Sequence, residues 1–170
     1  MAGNVRSGNG GRDDAGDAGK RRAAIRAAAQ RPDLTPRSGI LAEAAPVFVS
    51  YSRTDMSVVG QMIDRLRRRG GTVTWDQDFI AGSDFEQAIC KAIDVSRSVI
   101  VVWSPASVQS PYVRDEARRA LMANKLITTH VAGFNVADVP LGFGHLHTVP
   151  VDNHVQVRKS LAQYGVVLRT

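Results

Sequence analysis

The sequence predicts an α/β fold with a five-stranded parallel sheet and helices on both of its faces. From residue 46 onward, short apolar segments alternate with amphipathic segments of helical period. The turns between these segments are mostly short, as in a chain of right-handed crossovers. Residues 98–103 are apolar on both faces, which is typical of a central parallel strand covered by helices on each side.

The elements follow in a regular order. The predicted strands are residues 47–49, 72–75, 98–103, 126–131 and 146–151. In the first helix, Met56, Val59, Ile63 and Leu66 recur at spacings of three or four, and Gly70 and Gly71 stop the helix because glycine accepts the left-handed conformation of a cap.

The other helices carry start and stop signals. Ser83 and Glu86 fit a capping box at the start of the second helix. Ser110 followed by Pro111 is an N-cap with proline at the first helical position, and it opens a third helix that extends to about Ala123. Asp152 is the predicted cap of a last helix that ends at Gly165. Five strands with helices on both faces is the flavodoxin-like plan, which places ligands at the carboxyl ends of the strands.

The chain divides into two regions of different composition. Residues 1–45 are rich in glycine and mixed charges and contain no aromatic residue, so they bury too little apolar surface to offset their chain entropy. We expect a mobile tail or linker there, and one folded domain over residues 46–170.

Composition also narrows the classes of function. The net charge of +6 is divided equally between the two regions, +3 each, and the arginines at positions 65, 67, 68 and 69 fall at a predicted helix end, where cations complement the helix dipole. No aromatic residues interleave with them, which argues against a nucleic-acid partner. No signal peptide or membrane span is visible, and the single cysteine excludes an internal disulfide, so we expect a cytoplasmic protein.

Several kinds of chemistry lack their motifs. The sequence contains no phosphate-binding GxxxxGK[ST] loop and no GxSxG serine elbow. His145 and His147 share a strand face, but no cysteine or carboxylate lies near them in the sequence, so we expect neither a metal nor a resident cofactor.

Four segments in order resemble the conserved boxes of TIR (Toll/interleukin-1 receptor) domains. They are residues 47–52 (VFVSYS), 75–76 with 82–85 (WD and GSDF), 101–105 (VVWSP) and 112–116 (YVRDE). Each is weak alone, but the four in this order make a specific signal, and the resemblance extends over residues 46–170. The resemblance implies the TIR variant of the flavodoxin-like fold, and most closely a bacterial-type TIR protein that consumes NAD⁺.

Glu116 is the candidate catalytic residue. On a helix starting near Pro111, Tyr112 and Glu116 lie four residues apart on one side, and Glu116 borders the apolar face. Spacing alone favours a structural alternative, an exposed ion pair with Arg119 worth about 0.3 kcal/mol. The resemblance instead makes Glu116 the catalytic glutamate of TIR enzymes, with tyrosine at position 112 where tryptophan is common.

The resemblance also implies a substrate site around the first strand. Its candidate residues are Ser50, Tyr51, Ser52, Arg53, Asp76 and Tyr112. Glu86 is assigned to the capping box, and we expect Trp75, Phe85 and Trp103 to be packing residues.

The implied activity is cleavage of the nicotinamide–ribose bond of NAD⁺, by an NAD⁺ glycohydrolase or ADP-ribosyl cyclase that acts in immunity or defence. Two alternatives stay open. One is a non-catalytic TIR adaptor that self-associates, and the other is a flavodoxin-like nucleoside deoxyribosyltransferase. TIR–TIR contacts, and a partner from a defence system, are compatible with either TIR hypothesis. A phosphoacceptor receiver domain is disfavoured, because Ser50-Tyr51-Ser52 replaces its acidic pair.

Overall fold

Strands and helices alternate along the chain in the order that the sequence predicts. The computed structural model describes residues 47–75, 78 and 85–169, and within them the sheet has five strands, all parallel. The strands are β1 (Val47–Ser50), β2 (Val73–Trp75), β3 (Ser98–Trp103), β4 (Leu126–His130) and β5 (Thr148–Pro150). The helices are α1 (Met56–Arg68), α2 (Phe85–Val95), α3 (Pro111–Met122) and α4 (His154–Gln163). The predicted fold class is confirmed.

The strand order creates a crevice next to β1. The order across the sheet is β2-β1-β3-β4-β5, with Val49 of β1 paired to Trp75 on one side and to Ile100 on the other. The chain runs outward from β1 to β2 and then returns past β1 to β3. Connections therefore leave the carboxyl ends of β1 and β3 in opposite directions, which is the topological switch point where such sheets bind ligands.

Two apolar layers cover the two faces of the sheet. One layer joins α1 and α4 to the sheet through residues that include Val59, Ile63, Val157 and Leu161. The other joins α2 and α3 through residues that include Ile89, Ile93, Val113 and Ala117. The fold thus places helices on both faces, as predicted.

The side chains of β1 alternate between these layers. Val47 and Val49 pack in the α1–α4 layer, whereas Phe48 packs in the α2–α3 layer. Successive strand residues point to opposite faces, so Ser50 shares the face of Phe48. This alternation directs the Ser50 hydroxyl toward α3, and the residue is buried, with 1% of its surface exposed.

Two of the predicted helix ends are confirmed. Gly70 has a φ of +82° directly after the C-cap residue of α1, a conformation that glycine adopts without strain. Ser110 is the N-cap of α3, its side chain accepts a hydrogen bond from the Val113 amide, and Pro111 begins the helix.

The predicted cap of the last helix was wrong by one position. Asn153 is the N-cap of α4, and its Oδ1 accepts a hydrogen bond from the Gln156 amide at 3.2 Å. Asp152 lies one residue earlier, in the turn that follows β5. Either side chain can cap a helix, and the length of that turn decides which one does.

Some predictions fall outside the described residues. They include the tail at residues 1–45, the substrate-site residue Asp76 and the capping residue Ser83. Among the residues that the structure does describe, no helix combines the length and the apolar character needed to cross a bilayer.

Candidate functional site at the ends of β1 and β3

Helix α3 carries Glu116 and packs closely on the sheet. The face that it buries consists of Val113, Ala117 and Ala120, each at most 4% exposed. Two of these three side chains are single methyl groups, so the helix backbone can approach the strands closely. Glu116 lies beside Ala117 at the border of this face and is half-buried.

The Glu116 carboxylate reaches the end of β1. The Ser50 hydroxyl donates a hydrogen bond of 2.5 Å to Oε2 of Glu116, and this contact joins residues 66 positions apart. A hydrogen bond to an ionised carboxylate is shorter and stronger than one between neutral groups. The bond therefore orients one carboxylate oxygen next to the switch-point crevice.

A second hydrogen bond joins the loops that follow β1 and β3. The Ser104 hydroxyl donates to Oδ2 of Asp55 at 2.6 Å. Ser104 is fully buried, and its amide donates to the Ser107 hydroxyl at 2.7 Å. These bonds fix the two loops that border the crevice.

Asp55 and Ser104 are not among the site residues that the sequence predicts. Both residues belong to polar segments that follow predicted strands. Their contact depends on β1 and β3 being neighbours, which the chain order does not reveal.

Arg119 anchors α3 to α2. Its Nε and Nη2 donate to the two carboxylate oxygens of Asp94 at 2.8 and 2.6 Å. These hydrogen bonds hold the pKa of Asp94 below its ordinary value. The ion pair of Arg119 thus serves the packing of two helices, and Glu116 keeps its bond to Ser50.

The sequence of the folded region matches a known family. The model of the TIR domain family matches residues 47–163, which is more than half of the chain. The chain belongs to the TIR domain family. The curated stimulator of interferon genes protein of Magallana gigas is 31% identical over 101 residues, which cover 55% of this chain and 24% of that protein.

Solved structures agree with this TIR assignment. The TIR-STING receptor from C. gigas, in complex with 2',3'-cGAMP, has a TM-score of 0.62 and 26% identity, over 70% of this chain and 40% of the receptor chain. The TIR domain of a Toll-related receptor from Hydra magnipapillata has a TM-score of 0.56 and 21% identity, over 70% and 93% of the two chains, and supports the fold alone. This chain spans less than half of the TIR-STING receptor and about a quarter of the curated relative.

The predicted site residues that the structure describes lie at the end of β1, in the segment that follows it, and on α3. Ser50 contacts Glu116 directly. Tyr112 lies one helical turn before Glu116 on α3 and is 66% exposed, so its ring is open to a ligand. Ser52 and Arg53 follow β1, where the Ser52 hydroxyl lies 3.0 Å from that of Thr54 and Arg53 is exposed.

Tyr51 is separated from this group. It is 6% exposed, packs in the α1–α4 layer and stacks on Trp75 with the ring centroids 5.7 Å apart. The alternation of β1 explains its position, because the neighbour of Ser50 points to the opposite face of the sheet. The structure therefore does not bring the Tyr51 ring to Glu116.

The predicted packing residues occupy the core. Trp103 is fully buried against Phe143, with the ring centroids 5.3 Å apart, and Phe85 packs half-buried in the α2–α3 layer. Glu86 is exposed in the first turn of α2, and its predicted capping partner lies outside the described residues.

Other surface features lie away from Glu116. A cavity of about 580 Å³ is lined by residues outside the predicted site, namely Arg65, Arg68, Arg69, His154 and Arg169. In the described part of the chain, no three His, Cys, Asp or Glu side chains are grouped so that they could hold a metal ion.

Proposed function

We propose that this TIR domain cleaves the nicotinamide–ribose bond of NAD⁺, with Glu116 as the catalytic residue. The observation that carries the proposal is the half-buried Glu116 carboxylate, hydrogen-bonded to Ser50 at the ends of β1 and β3. A carboxylate at a sheltered crevice acts on a nearby positive charge with less solvent screening than in open water.

The chemistry requires only one acidic group. Nicotinamide departs from a cationic ring as a neutral molecule, so the leaving group takes the bonding electrons and needs no proton. The ribose then carries positive charge at C1, as in the oxocarbenium-like state of glycoside hydrolysis. Glu116 stabilises that charge and holds the ribose hydroxyls. Water adds to C1 and loses a proton to give ADP-ribose, or an internal nucleophile closes the ring.

The neighbouring residues have distinct proposed roles. Ser50 positions the carboxylate through its hydrogen bond to Oε2. The exposed ring of Tyr112 stacks on the nicotinamide or the adenine, and Arg53 binds a phosphate oxygen. Ser52 and Asp76 remain proposed substrate contacts. Tyr51 has a packing role instead, because its ring stacks on Trp75.

The decisive experiment compares two adjacent carboxylates. Concentrated protein is incubated with NAD⁺, products are identified by mass spectrometry, and light scattering records the oligomeric state. We expect Glu116→Gln to abolish nicotinamide release and to leave the circular dichroism spectrum unchanged. Asp115→Asn is the matched control, because Asp115 is exposed and pairs only at the surface with Arg118.

Each outcome has a defined meaning. Nicotinamide release by Glu116→Gln at the wild-type rate would refute the catalytic assignment. Base exchange between nucleosides, without consumption of NAD⁺, would indicate a deoxyribosyltransferase instead.

A second candidate function is a non-catalytic TIR module that signals by self-association. Similarity to a TIR-STING receptor that was solved in complex with 2',3'-cGAMP favours it. This function predicts oligomers by light scattering with no nicotinamide release at any protein concentration. In either case we propose a role in defence signalling through TIR–TIR contacts and a partner from the same pathway.

A further inference from the structure

Five basic side chains from three segments converge on one surface cavity, which we call the basic cavity. Arg65, Arg68 and Arg69 come from the last turn of α1 and its cap, His154 begins α4, and Arg169 follows α4 near the end of the described chain. The cavity measures about 580 Å³, and none of the described residues that line it is acidic.

The helix dipole explains only part of this cluster. Cations at the end of α1 complement the partial negative charge of its last carbonyl groups. That effect accounts for the arginines of α1, but not for His154 and Arg169, which the fold brings in from elsewhere. The dipole of α1 therefore does not explain why His154 and Arg169 also line the basic cavity.

The fold holds the two distant arginines side by side. The Arg169 amide donates to the Arg69 carbonyl at 2.9 Å, and Nη1 of Arg69 donates to the Arg169 carbonyl at 3.1 Å. Two hydrogen bonds in opposite directions fix these residues against each other. The fold itself therefore holds Arg69 and Arg169 next to each other.

The pKa of His154 is lowered by burial and, in part, by the positive charges around the cavity. Nη1 of Arg65 contacts Nε2 of His154, and a guanidinium has only donors, so that ring nitrogen is placed to accept. Burial and the charges of Arg65 and Arg69 lower the pKa of His154, and only Asp152 opposes them. An anion in the cavity would relieve this repulsion.

We propose that the basic cavity binds a diphosphate group, as in inorganic pyrophosphate or a nucleoside diphosphate. Guanidinium groups bind phosphate oxygens in pairs, and four of them match the oxygens of two linked phosphates better than those of one. The volume lies within the range of roughly 300–1,000 Å³ that is typical of small-ligand sites.

The shape of the site favours a small ligand over a nucleic acid. The arginines line a concavity, and none of the described lining residues is Phe, Tyr or Trp, so bases would lack a large stacking platform. The proposal is independent of the activity proposed for Glu116, because the two sites share no residue.

Isothermal titration calorimetry of the full chain with inorganic pyrophosphate tests the proposal, at about 50 mM salt to limit screening. We expect one pyrophosphate per chain, bound more tightly than orthophosphate. Loss of one charge-assisted contact costs about tenfold in affinity, so Arg68→Gln and Arg169→Gln should each weaken binding by at least that factor. Arg118→Gln on α3 is the matched control with the same change in charge, and should bind as the wild type does.

Three results would overturn the proposal. The first is no heat of pyrophosphate binding at millimolar concentration by protein whose circular dichroism shows it to be folded. The second is an equal loss of affinity in Arg118→Gln, which would indicate long-range attraction only. The third is tighter binding of a duplex oligonucleotide than of pyrophosphate, abolished by Arg68→Gln, which would make this a nucleic-acid surface. If Arg68→Gln fails to fold, Arg68→Lys replaces it, and its affinity should fall between those of the wild type and Arg169→Gln.

Discussion

The Ser50 hydroxyl lies 2.5 Å from Oε2 of Glu116, and this hydrogen bond ties the last residue of β1 to the second turn of α3. Ser50 is buried and Glu116 is half-buried, so water competes little for the bond. The hydrogen bond therefore fixes the orientation of the carboxylate at the end of β1. The relationship leads to the first prediction.

Ser50→Ala should lower the kcat for NAD⁺ by about tenfold, because a carboxylate that loses one charge-assisted hydrogen bond is less well oriented. We expect KM to change much less, since the hydroxyl is already used by Glu116. Steady-state kinetics of nicotinamide release measure both constants.

Ser57→Ala is the control for this variant, because Ser57 is exposed on α1. A rise in KM at unchanged kcat in Ser50→Ala would show that Ser50 binds substrate directly and does not position Glu116.

Gly71→Ala should destabilise the domain by about 1–3 kcal/mol, the usual cost of overpacking. A Cβ at this position would lie 2.9 Å from the Leu66 carbonyl oxygen and 2.8 Å from a Leu168 methyl group. The backbone carbonyl also accepts a hydrogen bond from the Gly71 amide, so it cannot move away freely. Urea unfolding followed by circular dichroism measures the change.

Gly144→Ala provides the matched comparison, because nothing lies within 4 Å of the added Cβ. Its free energy of unfolding should be unchanged or raised by up to about 1 kcal/mol. Equal destabilisation of the two variants would contradict the packing argument.

The stability contributed by His154 should decrease as the pH falls through its ordinary pKa of about 6.5. The folded protein lowers the pKa of this histidine, through burial and through Arg65 on α1 and Arg69 at its C-cap, against the opposing Asp152. Below pH 6.5 the unfolded chain therefore binds a proton that the folded chain does not, and protonation favours unfolding.

The difference in unfolding free energy between the wild type and His154→Gln isolates this effect. The free energy of unfolding of the wild type should fall relative to that of His154→Gln between pH 8 and pH 5.5, as measured by urea unfolding at each pH. His145→Gln, in an exposed loop, serves as the comparison. A difference that is flat across this range would show that His154 keeps its ordinary pKa.

The sequence determined the secondary structure and its order, because the signals involved are local. Short apolar segments and helical apolar patterns predicted all five strands and the positions of α1 and α3. Ser110, Pro111 and Gly70 marked helix ends through interactions within a few residues. Where two adjacent residues could both cap a helix, as with Asp152 and Asn153, the local signal was ambiguous and the prediction was wrong.

Glu116 became a candidate through resemblance, since its spacing to Arg119 offered an ordinary ion pair. The structure shows that Arg119 pairs with Asp94 on another helix, and that Glu116 contacts a serine 66 positions away. Neither contact follows from spacing along one helix.

Only the tertiary structure decided which distant side chains meet. The strand order β2-β1-β3-β4-β5 brings the end of β1 to α3, the pleat of β1 separates Ser50 from Tyr51, and the chain after α4 delivers Arg169 to the end of α1. The physical reason is that a periodic pattern specifies which face of an element is apolar. It does not specify which other element covers that face, and sites are made where such elements meet.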